Sequence, residues 1–253
     1  EGLNNGRGIR SGRIEKLNVA PLQTVSLILK LGETDENGEW LLNVRYRQKD
    51  REGLIPVGHI VAKDQLVLHP YKTPEMKLKN VTPQVNDTNI RHWIVKGENF
   101  LIRFKRSTGY MDKYIVNGLD MIKDGAALTP NFWRAPTDND YGAKLQLKYN
   151  AWKNPDIKLI SLKNNIVDNQ AVISAEYEMK QVSAKLYITY TINNQGAVQV
   201  NQKMITDKAA NVSNMFRFGM QLVMPRSFEN ISYYGRGPME NYSNRNHCTD
   251  LGI

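Results

Sequence analysis

Leu186–Met204 reads LYITYTINNQGAVQVNQKM, and this stretch decides the fold. Leu186, Ile188, Tyr190 and Ile192 share one face of the first run, and Val198, Val200, Gln202 and Met204 share one face of the second. Successive side chains of a strand point to opposite sheet faces, so period two marks half-buried strands. The break between the runs, Asn193-Asn194-Gln195-Gly196, supplies the residues of a tight turn, and together the three pieces predict an antiparallel hairpin. Working outward, Ile173, Ala175, Tyr177 and Met179 repeat the pattern, as do Phe100, Ile102 and Phe104, and Trp40, Leu42, Val44 and Tyr46. Only Tyr141–Trp152 reads as helical, with Tyr141, Leu145, Lys148 and Trp152 at helical spacing and Pro155 beyond the end. Many strands and one helix leave no material for parallel crossovers, so the expected class is all-β, with antiparallel sheets stacked as sandwiches.

A chain of 253 residues exceeds the usual size of one domain, and its 41% hydrophobic content is enough for packed cores. From His69 to Thr88 the alternation lapses around Pro70, Pro74 and Pro83. The expected division is a first domain at 1–72, a linker at 73–88 and a second domain at 89–253. The net charge of +9 raises the question of an acidic partner. The basic residues are scattered, however, as at Lys30, Arg45, Arg47, Arg103 and Lys105, each beside an apolar neighbour. That spacing fits solvated strand faces and argues against a nucleic-acid surface. No apolar run approaches the roughly 20 residues of a membrane-spanning helix, and residues 1–16 lack the apolar core of a signal peptide. Cytoplasm and periplasm both remain open. Cys248 is the sole cysteine, which excludes an intrachain disulfide and a multi-thiolate metal site.

Two clusters carry the chemistry. The first, Asn131 to Asp140, holds Trp133, Arg134, Asp138, Asn139 and Asp140 around Pro136. Its two carboxylates suit a hard cation or acid–base work, and equally a structural loop in which Arg134 pairs with an aspartate. The second, Tyr233 to Arg245, sets Arg236 between Gly235 and Gly237, followed by Glu240, Asn241 and Arg245. Aromatic faces and bidentate groups suit a sugar, so Trp133, Arg134, Asp138, Asn139, Asp140, Tyr234, Arg236, Glu240, Asn241 and Arg245 are the carbohydrate-facing candidates. A clamp between sheets, with Glu240 as counter-ion of Arg236, is the competing reading of the second cluster. His59, His69, His92 and His247 lie far apart, without zinc-ligand spacing, so no metal site is assigned.

In this order and about a hundred residues apart, Phe132–Asp140 and Tyr234–Arg245 resemble the two recognisable strings of the small-chain domain of family 2 glycoside hydrolases of the β-galactosidase type. Met239 and Asn244 depart from the commoner residues of the second string. Upstream, Gly58–Leu68 is similar to the closing strands of the immunoglobulin-like domain that precedes it. The resemblance implies an immunoglobulin-like β-sandwich, cut at its start, followed by a large antiparallel supersandwich of the galactose-mutarotase type, cut at its end. It further implies that the catalysis lies elsewhere. A retaining glycosidase needs two carboxyls about 5 Å apart, and this family draws them, with its magnesium ligands, from a preceding (β/α) barrel that no segment here matches.

The chain alone is therefore expected to be inactive and to carry no catalytic residue and no cofactor. Its expected partners are the barrel-bearing remainder, through it a galactoside, and further copies, because cut sheets expose strand edges. Two other functions compete: a carbohydrate-binding module with its own sugar groove, and a mutarotase-like epimerase pairing a histidine with a carboxylate.

Overall fold

A computed structural model of the chain describes residues 1–32, 38–73 and 81–253. It is an all-β structure whose strand ladders are antiparallel. The chain divides into two compact units, one formed by Glu1–Pro74 with Asn230–Ile253, the other by Glu75–Glu229.

In the first unit β1 (Gly2–Asn4), β2 (Arg7–Arg10), β3 (Trp40–Arg47) and β4 (Ile60–His69) form a sheet in the order β2-β1-β3-β4. Trp40, Leu41 and Leu42 are all buried, so the strict alternation expected there is not followed. Register irregularities between Trp40 and Leu41 and between Tyr46 and Arg47 re-aim the side chains. β4 is an edge strand, and Val61, Leu66 and Val67 on it are exposed. Arg45 and Arg47 are exposed, as solvated strand faces require, whereas Lys30 lies in a stretch without strand pairing.

The second unit is a two-layer sandwich. β5 (Gln84–Asn86), β6 (His92–Lys96), β7 (Phe100–Lys105), β8 (Met111–Val116) and β9 (Leu119–Asp120) form one sheet in chain order. A strand β10 (Thr129–Asn131) and two short helices, α1 (Asp138–Gly142) and α2 (Leu145–Lys148), follow. They lead to a second meander of β11 (Lys158–Val167), β12 (Gln170–Met179), β13 (Ala184–Ile192) and β14 (Val198–Thr206), and β15 (Gly219–Gln221) then pairs with β10.

The inward faces of β12 and β13 are the ones the sequence marks: Ile173, Ala175, Tyr177 and Met179 against Leu186, Ile188, Tyr190 and Ile192, all buried. Trp93, Val95, Phe100, Ile102, Phe104 and Met111 of the other sheet join the same core. Phe104 meets Tyr190 edge-on at 4.9 Å and Tyr110 stacks on Tyr177 at 5.4 Å, so aromatic pairs bridge the layers. Each large side chain buried in this way is worth roughly 1.5–3 kcal/mol.

Three features differ from the sequence reading. The helical stretch starts earlier, at Asp138, and breaks at Lys144, which takes a left-handed φ of 56°, before α2 and a 3-10 turn at Asn150–Trp152. Of the stretch read as linker, residues 74–80 lie outside the described residues, and Gln84–Asn86 pair with β6 because Val85 packs against the core. Finally, β16 (Gly235–Gly237) and β17 (Asp250–Gly252), read in sequence with the second domain, pair with each other within the first unit. The Gln65 amide holds β17 there, donating to Leu251 O and accepting from Leu251 N, both at 2.8 Å, and Lys63 pairs with Asp250 at 2.6 Å.

Candidate functional site

The first cluster is built by a helix start. Thr137 lies in extended backbone as the N-cap of α1, its hydroxyl accepts from Asp140 N, and the Asp140 carboxylate accepts from Thr137 N at 2.7 Å. This reciprocal pair satisfies donors that a helix N-terminus leaves without partners. Arg134 then reaches back to the same carboxylate, with Nη1 to Oδ2 at 2.5 Å and Nη2 to Oδ1 at 3.2 Å. The Arg134 guanidinium, with the Thr137 backbone N–H next in effect, holds the buried Asp140 carboxyl down to about 2.

Arg134 also lies over the Phe216 ring, 4.6 Å from its centroid, while Trp133 and Tyr149 meet Phe216 edge-on at 4.8 and 5.1 Å. Phe132 is buried against Trp152, whose indole N–H donates to Ser213 O at 2.9 Å. Asp138 and Asn139 are exposed. Asp140 therefore does not offer a cation its oxygens, which already accept from Arg134 and Thr137. Among the described residues no three His, Cys, Asp or Glu side chains converge as metal ligands.

The second cluster is organised differently from the sequence expectation. Glu240 pairs with Arg245 at 2.7 Å, not with Arg236. Arg236, on β16, donates Nη1 to Asn246 O and Thr249 O, both at 3.1 Å, and thereby ties its own strand to the turn that leads into β17. Both carbonyls accept from the same nitrogen, and the exposed Glu240–Arg245 pair adds little by itself. Tyr234 donates its hydroxyl to Glu39, a buried carboxylate; burial pushes the Tyr234 phenol up, and the Glu39 hydrogen bond adds to it. Asn241 and Arg245 are exposed.

The structure thus brings together Trp133, Arg134 and Asp140 in one unit, and Tyr234, Arg236, Glu240 and Arg245 in the other. Both arginines are held by intrachain partners: Arg134 by an aspartate, as the reading of its loop as structural has it, and Arg236 by carbonyls of the turn before β17, where the clamp reading expects Glu240. Sequence reasoning missed Phe216 and Glu39, which lie far along the chain from Arg134 and Tyr234 and leave no local signal. The capping pair Thr137–Asp140 was readable from its three-residue spacing. Of the histidines, His92 approaches a carboxylate, Asp112, at 4.0 Å, but Asp112 is already engaged by Arg103 through Nε at 2.9 Å and Nη2 at 3.1 Å on a sheet face. That arrangement is an ion-pair network, and it gives the epimerase reading no support.

Comparison with known proteins gives two matches along the chain, the second of which runs on through residues 230–253, which the structure groups with Glu1–Pro74. Residues 96–253 match the family described as "Beta galactosidase small chain", and residues 1–69 match "Beta-galactosidase, domain 4". A β-galactosidase of Priestia megaterium is 31% identical over 94% of this chain and 23% of its own length. Those of Streptococcus thermophilus and Staphylococcus xylosus are 26% and 29% identical, over 83% and 69% of this chain and 20% and 19% of their own lengths. The chain spans about a quarter of the length of the curated relatives it matches most fully. With more than half of its residues matching the small-chain model, the chain belongs to the β-galactosidase family, of which it carries the domain 4 and small-chain regions.

Proposed function

We propose that the chain is an accessory segment of a β-galactosidase that hydrolyses terminal β-D-galactosides with retention, and that it supports the catalytic domain and borders its cleft. The observation that carries this reading is the run of domain 4 and small-chain matches over a chain about a quarter as long as its relatives. Retention requires a nucleophilic carboxylate and an acid/base carboxyl about 5 Å apart. On this reading the remainder of the enzyme supplies that pair and the magnesium ligands, because Asp140 here is occupied by Arg134 and Thr137. Within this chain Arg134, Asp140 and Phe216 fix the loop Asn131–Asp140, and Arg236 fixes the turn before β17. They hold surfaces in shape for the partner domain and for assembly into oligomers.

The test is hydrolysis of a chromogenic β-galactoside by the purified chain, alone and mixed with a separately expressed remainder of the enzyme. Silence alone and activity on mixing is the expected result. Activity from the chain alone would refute the accessory role, and silence in both arms would refute the idea that this segment completes the enzyme.

A further inference from the structure

Between β2 and β3 the chain passes through Thr24–Leu31, TVSLILKL, where Val25, Leu27 and Leu29 alternate with Ser26, Ile28 and Lys30 as they would on a strand. The structure gives this segment no strand partner. Among the described residues no backbone hydrogen bond reaches Thr24–Lys30, and Val25, Leu27, Ile28 and Leu29 are all exposed, Ile28 at 92%. Backbone of this kind, apolar in its side chains and without a ladder, is complementary to a free sheet edge.

The same unit offers such an edge. β4 pairs only with β3, so the side of Ile60–His69 that faces away from β3 carries no ladder, and Leu66 and Val67 on it are exposed. Its sequence fits the segment in antiparallel register. With Lys30 opposite Asp64, Ile28 falls opposite Leu66 on one sheet face and Leu27 opposite Val67 on the other, and Thr24 comes level with Pro70, just past the end of β4. A slip of one residue sets Lys30 against Lys63 or against Gln65, so the ion pair selects the register.

The two pieces are kept apart within one chain. The Arg10 guanidinium on β2 donates to Leu31 O at 2.6 Å and so ties the end of the segment to β2. In the sheet order β2-β1-β3-β4, two strands lie between that tie and β4, and the three strand spacings come to about 14 Å. Lys30, next to the tie, therefore meets Asp64 on another molecule.

We propose that two copies of the chain exchange residues 24–31, each segment adding to the free edge of β4 in its partner, to form a two-fold dimer through the first unit. The exchange gives both unpaired pieces of both molecules a ladder at once, which closes the assembly at two and leaves neither piece to recruit a third copy. It rests on the first unit alone and stands whether or not the chain completes a galactosidase.

The test is sedimentation velocity of the purified full chain over a concentration series, with circular dichroism showing that each variant keeps its β spectrum. A monomer–dimer equilibrium with a dissociation constant of about 1–10 μM is expected. Lys30→Glu and Asp64→Lys should each weaken it about tenfold by setting like charges opposite one another, and the two together should restore it. Should either charge variant lose its β spectrum, cross-linking decides alone. In a Cys248→Ser background, Ile28→Cys chains mixed with Leu66→Cys chains should form a disulfide-linked dimer on oxidation that neither forms by itself. A monomer at every concentration, a dimer indifferent to both charge reversals, or no mixed cross-link would each overturn the proposal. So would a disulfide within single chains of Ile28→Cys/Leu66→Cys at the lowest concentrations, because the segment would then close on its own β4.

Discussion

Asp140 carries more of the structure than any other candidate residue, because helix cap, ion pair and loop all converge on one carboxylate. Held at about 2 in the fold against an ordinary value of 3.8, it contributes stability that is complete above pH 3.8 and is lost as pH falls through about 2. Asp140→Asn is therefore expected to lower the thermal midpoint at neutral pH and to flatten the acid limb of the profile, which melts across a pH series would show. Tyr110 works in the opposite direction. Burial raises it from 10.0 to about 12, so its contribution is complete below pH 10 and fades as pH rises through about 12, readable as late phenolate absorbance accompanying alkaline unfolding. Tyr177 is a third case: its buried hydroxyl has no hydrogen-bond partner among the described residues, so Tyr177→Phe is expected to raise stability by about 1 kcal/mol in urea denaturation. An unchanged or lower midpoint would mean that the hydroxyl is satisfied in solution.

The strand faces were legible in the sequence wherever one sheet side meets a core. β12 and β13 bury the very side chains that period two marks, because register in a sandwich is enforced by the packed face. Legibility failed where the covering came from elsewhere. Trp40-Leu41-Leu42 is buried on successive residues, with a register shift that no residue pattern announces. The spacing of Tyr141–Trp152 predicts one continuous helix, yet Lys144 and Tyr149 interrupt it. Its true start was written in Thr137 and Asp140. The hairpin turn falls at Asn193–Gly196, as its residues predict, and there Gly196 has φ +82° and an added Cβ would sit 2.7 Å from the Phe100 ring. Gly196→Ala should cost about 2 kcal/mol through strain and that clash, measurable as a lower urea midpoint with an unchanged slope. A neutral result would show that Phe100 yields.

For the molecule as a whole, the least legible fact was that residues 230–253 belong with the first unit. Its cause is a set of contacts between residues 186 to 195 apart, Gln65 with Leu251, Lys63 with Asp250 and Tyr234 with Glu39, which local pattern cannot report. The candidate sites suffered the same limit, since the partners that occupy Arg134 and Tyr234 are remote in sequence. Deleting 230–253 should leave amide-exchange protection of β12 and β13 unchanged and reduce that of β3 and β4; equal loss in both units would refute the division. That arrangement also orders events during synthesis. Glu39 and Gln65 leave the ribosome well before Tyr234 and Leu251, and the second unit, contiguous in sequence, is complete first. At ordinary elongation rates the delay is on the order of ten seconds. Throughout it Lys63 and Gln65 on β4 wait without Asp250 and Leu251, and Glu39 without its tyrosine, while Val61, Leu66 and Val67, which stay exposed in the finished fold, give a holding chaperone a place to grip.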